Sequence, residues 1–243
     1  ACSIGGNIAE NSGGAHSLKY GLTTNNVLGI EFVTIDGEVI RIGGKHLDAE
    51  GYDLLGILTG SEGLLGIITE VTVRILKSPE TARALLIGFP TIEAAGECVG
   101  SVINAGIIPG GMEMMDRYAI EAAEAFCHAG YPLDVEALLI VELDGPEVEV
   151  DYLIAEVERM ATECGAVNVR ASTSEEERMT FWAGRKAAFP AVGRLSPDYY
   201  CMDGTIPRYQ LPVVLRRIAE LSEHYGLRVA NVFHAGDGNL HPL

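Results

Sequence analysis

The sequence is short of positive charge. Lys and Arg number 17 against 34 Asp and Glu, a formal net charge of -17. Binding a phosphate backbone requires a basic surface, so nucleic acid is excluded as a partner. Long apolar runs are missing as well: none reaches the ~18 residues of a membrane span, and nothing at the start reads as a signal peptide. The five cysteines, Cys2, Cys98, Cys127, Cys164 and Cys201, are odd in number and widely spaced without a C-x-x-C, which reads as reduced thiols in a cytoplasmic protein. No G-x-G-x-x-G follows a strand, which removes a Rossmann dinucleotide site. No Ser-His-Asp or Cys-His arrangement stands out, and no internal repeat is evident. An initiating methionine is absent too, and the chain stops two residues after a candidate ligand, His241. It is therefore expected to be a piece of a longer protein. Its 243 residues suffice for one large or two ordinary domains, each with a real core.

What is present is most informative at the end, where Asn231 to Pro242 reads N-V-F-H-A-G-D-G-N-L-H-P. Asp-Gly between apolar runs signals a tight hairpin with positive φ at both central residues. With Asp237 and Gly238 in those places, His234 faces His241 on one side of the ribbon, Cβ atoms roughly 5 Å apart. Two such imidazoles suit a divalent transition ion, which needs a third ligand and an open position. A buried hairpin whose histidines hydrogen-bond in the core accounts for the same residues, and this stretch alone leaves both open.

The beginning is Gly-rich: A-C-S-I-G-G-N-I-A-E-N-S-G-G-A-H-S-L-K-Y-G spans residues 1–21. Amides in such a loop, or at a helix start, suit a phosphate or the polar edge of a ring; a Gly-rich surface turn is the simpler reading. Val27 to Ile42 predicts two strands around Asp36-Gly37, Tyr52 to Leu58 a short helix, and Thr59 to Gly66 a second small-residue loop entering a strand. Pro79 marks a boundary. Beyond it strands alternate with amphipathic helices, with Thr91, Asp116 and a Ser174/Glu177 capping box as helix starts. Asp198 to Gly204 and Leu227 to His234 read as further strands. This order predicts an α+β fold, with helices stacked on one face of a largely antiparallel sheet. On the helix after Ser174, Arg178, Trp182, Arg185 and Phe189 fall three or four apart and share a face. Arg185 there suits a bidentate grip on a carboxylate, although a surface Arg paired with Glu is the commoner use of such a residue. His46, His128 and His224 lack partners at ligand spacing and are read as surface histidines.

Five stretches together resemble the FAD-linked oxidases of the vanillyl-alcohol oxidase type, and within them the flavin subunits of bacterial glycolate oxidases. Gly5 to Gly21 and Thr59 to Glu70 look like the second half of that family's flavin-binding domain. Trp182 to Arg194, Asp198 to Arg208 and His234 to Pro242 look like its cap domain. The resemblance implies a partial FAD-binding domain over residues 1–78 and a cap or substrate domain over residues 79–243, truncated at its end. It also implies oxidation of a small 2-hydroxy acid, glycolate or D-lactate, to the 2-oxo acid. By similarity, Gly5, Gly6, Asn7, Asn11, Gly13, Gly14 and Gly21 in the first loop would approach the flavin and its diphosphate. Gly60, Ser61 and Gly63 in the second would do likewise, with Ile67 or Ile68 giving backbone contacts. Arg185 would hold the substrate carboxylate, His234 and His241 a divalent ion (zinc, manganese or iron), and Asn239 would support that site. Partner subunits, one with iron-sulfur clusters, are implied as well.

The family's first flavin subdomain and a later Glu-His stretch with the third metal ligand are not in this sequence, so the piece is expected to bind flavin weakly and turn over nothing. Cys201 stands near the place where relatives acting on hydroxy diacids carry a lysine, which favours a monocarboxylic substrate. The competing reading is a non-catalytic module kept for metal binding or subunit docking.

Overall fold

The computed structural model describes residues 2–47, 51–196 and 198–243. The chain divides into two compact units, Ala1–Ser78 and Pro79–Leu243.

In the first unit, helices α1 (Ile4–Ala9) and α2 (Ser17–Tyr20) precede strands β1 (Val27–Val33) and β2 (Val39–Gly43), helix α3 (Leu54–Leu58) and strand β3 (Ile67–Val73). The sheet is antiparallel in the order β2-β1-β3. Asp36-Gly37 does fall in the β1–β2 connection, Gly37 taking φ +81°. On β2, Ile40 and Ile42 pack against a core of Ile8, Val27, Ile30, Phe32 and Leu58, while Val39 stays exposed. The Gly-rich opening is more ordered than a surface turn: Ser3 Oγ accepts from Gly6 N at 3.0 Å, and that cap starts α1 despite two glycines in its first turn.

The second unit runs β4 (Thr81–Phe89), α4 (Ile92–Asn104), β5 (Gly111–Asp116), α5 (Arg117–Cys127), β6 (Ala137–Gly145) and α6 (Glu147–Glu163). It continues with β7 (Asn168–Ala171), α7 (Glu175–Val192), β8 (Gly204–Thr205), α8 (Leu211–Tyr225), β9 (Asn231–His234) and β10 (Asn239–Pro242). Its sheet has the order β7-β4-β6-β5-β9-β10-β8, each neighbouring pair antiparallel. Thr91, Asp116 and Ser174 each accept a backbone N–H from the first turn of their helix, as their positions led us to expect. Glu177 returns its carboxylate to Thr173 N and Oγ1 instead of to Ser174, so the capping box is displaced by one residue.

Helices cover both faces of this sheet, which corrects the expectation of one. Arg83 on β4 reaches Asp151 of α6 at 2.7 Å. Ala84, pointing the other way, lies opposite Glu142 of β6, and Glu142 meets Arg178 and Trp182 of α7. Alternate residues of a strand face opposite sides, so α6 and α7 lie on different faces. The unbroken buried runs Ala84–Phe89 and Ala137–Leu143 have the same cause, since a doubly covered strand needs no polar side. Three boundaries also differ. His128 takes the left-handed conformation (φ 52°) and ends α5 before the glycine expected to do so. Of the stretch 198–204 only Gly204 joins a strand, and β9 begins at Asn231 instead of Leu227.

Candidate functional site

The hairpin of β9 and β10 carries both candidate ligands, in a register two residues away from the expected one. His234 lies opposite Asn239, and His241 opposite Val232. Residues 235–238 form a wider turn in which Gly238 alone has positive φ, at +82°, so Asp237 does not supply the type I′ geometry. Gly236 N is instead tied to Met112 O of β5 at 3.2 Å, and Ile206 N to Gly238 O at 2.9 Å. A slip of two keeps every side chain on its face. The two imidazoles are therefore still neighbours, diagonal now, with ring centroids 5.1 Å apart and planes at 89°. Phe189 of α7 packs edge-on to His241 at 5.9 Å. Burial holds the His241 imidazole below its ordinary pKa, while Asp203, with Oδ1 3.7 Å from Nδ1, pulls the other way.

The same face brings Arg185 to the pair through a residue the sequence reading missed. Glu113 on β5 is 1% exposed, and its carboxylate oxygens lie 2.8 and 2.9 Å from His234 Nδ1. Arg185 Nη2 stands 2.6 Å from Glu113 Oε2. The N–H groups of Arg185 are not aligned on that carboxylate, so Nε and Nη2 have no hydrogen-bond acceptor although the residue is 6% exposed. Asn239 Oδ1 is likewise buried without a donor. A carboxylate between Met112 and Met114 in a fully buried strand was the available sequence signal, because ionisable residues are rarely buried unless paired. Gly184 allows α7 its close approach: a Cβ there would stand 2.4 Å from the Tyr131 ring, whose hydroxyl donates to Phe181 O.

In the first unit the two small-residue stretches meet. Gly60 N donates to Ile8 O at 2.9 Å and Glu62 N to Ala9 O at 2.8 Å, while Asn11 (φ 47°) accepts Thr24 N. Gly5 lets α1 sit on β3, where a Cβ would lie 3.2 Å from Ile68 O. Asn7, Gly13, Gly14 and Gly21 line a cavity of about 340 Å³ with Tyr20. Gly6, whose N is taken by the Ser3 cap, Asn11, Gly60, Ser61, Gly63 and the exposed Ile67 are not part of its lining. Around Gly14 nothing stands within 4 Å of where a Cβ would be.

Residues 78–243 match the model of the FAD linked oxidases, C-terminal domain, and residues 1–43 that of an FAD binding domain. The chain belongs to the FAD-linked oxidase family. Glycolate oxidase subunit GlcD of Escherichia coli K12 is 61% identical over all of this chain and 49% of its own length. The Bacillus subtilis protein of the same name is 39% identical over 98% of this chain and 51% of its own, and a D-lactate dehydrogenase of Archaeoglobus fulgidus is 34% identical over 98% and 52%. The chain thus spans about half the length of the curated relatives it matches. Among solved structures, an alkyldihydroxyacetonephosphate synthase superposes with TM-score 0.73 at 19% identity, over 98% of this chain and 49% of that one. A substrate-bound p-cresol methylhydroxylase gives 0.72 at 14%, over 98% and 54%. They share the fold of this FAD-linked oxidase.

The residues fit the groups such a family implies to different degrees. The open backbone at Gly14, which a Cβ would begin to fill, leaves room for a flat ring or a phosphate to approach the chain. For a metal, two imidazoles on one face are an appropriate donor pair, yet no group of three His, Cys, Asp or Glu at ligand spacing occurs among the described residues. No helix among the described residues is long and apolar enough to cross a membrane.

Proposed function

We propose that this chain forms part of an FAD-dependent oxidase of a small 2-hydroxy acid, glycolate or D-lactate, giving the 2-oxo acid. The observation that carries this reading is Arg185: a buried guanidinium, ion-paired to Glu113 through Nη2 but with Nε left without an acceptor, on the same face as two neighbouring imidazoles. Buried N–H donors without acceptors cost about 1–3 kcal/mol each. A substrate carboxylate supplies the missing acceptors in the planar geometry a guanidinium favours. Arg185 thereby fixes one end of the substrate and leaves its hydroxyl end to the side of His234, His241 and Asn239.

A bound FAD would supply the acceptor for the electrons and hydrogen of the α-carbon, and His234 and His241 would be the residues to hold a divalent ion (zinc, manganese or iron), which would supply Lewis acidity at the α-hydroxyl. The protein's own residues orient and desolvate. Phe189 closes one side of His241, and burial lowers the pKa of that imidazole, which favours its neutral form. Asn239, opposite His234, offers an unsatisfied Oδ1 to the site. In the first unit, the Gly5–Gly21 and Gly60–Gly63 loops together with Ile67 or Ile68 are proposed to contact the flavin and its diphosphate. For the first of these loops that role is supported by the FAD binding domain match over residues 1–43. Residues 1–243, about half the length of the relatives, are proposed to hold flavin weakly and to turn over nothing by themselves. The two GlcD relatives are named as subunits, which supports assembly with other oxidase subunits; an iron-sulfur subunit as electron acceptor belongs to the same proposal. Five free thiols support a cytoplasmic setting.

The test is anaerobic reduction of the flavin in the full-length protein by glycolate and by D-lactate, followed through the loss of flavin absorbance, with Arg185→Met alongside. We expect bleaching by at least one acid and, in the variant, a KM raised by about 100-fold for the loss of a charge-assisted pair worth roughly 3 kcal/mol. Bleaching by neither acid, or an unchanged KM in the variant, would refute the assignment.

A further inference from the structure

Glu113 is a costly residue for its place. Taking a carboxylate out of water into the middle of a sheet costs several kcal/mol unless the protein replaces the lost hydration, and the flanking Met112, Met114 and Met115 show what an ordinary side chain at this depth looks like. The carboxylate has two identified partners. One oxygen serves Arg185 as a counter-charge at 2.6 Å, and both oxygens lie at hydrogen-bond distance from one nitrogen, His234 Nδ1. An ionised carboxylate has no proton to give. The hydrogen in that contact therefore belongs to Nδ1, shared between the two oxygens, and in the neutral ring Nε2 is then left bare.

We propose that Glu113 is a positioning residue: it locks His234 in the Nδ1–H tautomer, so that Nε2 is the nitrogen presented to a divalent cation, and it holds Arg185 beside that nitrogen. One buried carboxylate thus sets the geometry of both groups assigned to the substrate's two ends. The inference rests on the proposed function for the cation and the substrate, whereas the tautomer is argued from the contacts of Glu113 with Arg185 and His234. Carboxylate partners of metal-binding histidines act in this way in general, fixing ring orientation and raising ligand basicity.

The experiment is a long-range proton–nitrogen correlation spectrum of the imidazoles in nitrogen-15-labelled full chain, with His234→Ala assigning the His234 signals. Glu113→Met is compared with it, and Glu113→Met/Arg185→Met serves as the variant that removes the buried charge pair whole and so avoids stranding the guanidinium. Zinc titration is run on each protein, and Trp182 fluorescence reports that the second unit is folded. We expect the Nδ1–H pattern for His234 in the unaltered chain, its replacement by the Nε2–H pattern in both variants, and a 10–100-fold loss of zinc affinity. A purely structural role for Glu113 would leave the tautomer unmoved. An Nε2–H pattern in the unaltered chain, or one that does not change in either variant, overturns the proposal. Zinc binding absent from the unaltered chain, with the tautomer present and lost as expected, upholds the role of Glu113 and overturns the metal reading instead.

Discussion

Asp116 offers the sharpest test of how the site is held in place. Its Oδ1 accepts Ala119 N at 3.0 Å and caps α5, and its Oδ2 accepts both Asn231 N and Asn231 Nδ2 at 2.8 Å. One carboxylate thus joins a helix start to the first residue of β9, three residues before His234. Despite those hydrogen bonds, burial dominates and pushes the carboxyl up from 3.8 to about 6. A carboxyl whose pKa is raised by folding contributes most stability when protonated, below 3.8, and that contribution fades as pH rises through about 6. The difference of 2.2 units (6 minus 3.8) corresponds to about 3 kcal/mol at 1.36 kcal/mol per unit, of which about 1.4 kcal/mol falls between pH 5 and pH 8. Asp116→Asn keeps an acceptor oxygen and cannot titrate. The assay is urea unfolding followed by Trp182, the sole tryptophan, which is buried on α7 in the same unit. Other carboxylates contribute their own pH dependence, so the quantity to read is the native unfolding free energy minus that of the variant. It should fall by about 1.4 kcal/mol from pH 5 to pH 8. A flat difference would show that the three hydrogen bonds cancel the effect of burial, and one rising with pH that they outweigh it. Asp116→Ala, which strands three buried N–H groups, should cost about 3–5 kcal/mol at any pH in this range.

Two further outcomes are expected. Gly184→Ala should destabilise the second unit by about 2–3 kcal/mol, because the new methyl meets the Tyr131 ring at 2.4 Å; helix propensity alone predicts a gain of about 1 kcal/mol, so a raised melting temperature would refute the packing argument. Isothermal titration of zinc and manganese into metal-free full-length protein should show micromolar binding that His234→Ala/His241→Ala abolishes, whereas unchanged binding in that variant would place the ion elsewhere.

Much of the architecture was legible in short-range chemistry. Thr91, Asp116 and Ser174 announce helix starts because a side-chain oxygen satisfies an orphan N–H within three residues. The runs Ala84–Phe89 and Ala137–Leu143 announce strands because a continuous apolar stretch of about 4–8 residues suits a strand covered on both faces. Asp36-Gly37 marks the connection between β1 and β2 for the same local reason. The hairpin at the end shows where that reasoning stops. Its Asp-Gly pair predicted a tight turn, but pairing of Gly236 with Met112 and of Ile206 with Gly238 widened it and moved the register by two residues. Both histidines kept their face because strand alternation has a period of two, so the local rule preserved the site while long-range pairing changed its geometry.

The sequence by itself determined which residues have the chemistry: a guanidinium on a helix face, two imidazoles on one ribbon, and glycines dense enough to let a ligand approach the backbone. Only tertiary structure decided that Glu113 stands between Arg185 and His234, since β5, α7 and β9 are brought together across 121 residues by sheet pairing and by the packing of α7 that Gly184 permits. Burial of an ionisable group can be read only after the fold has chosen its neighbours, because the cost of desolvating a charge depends on what replaces the water.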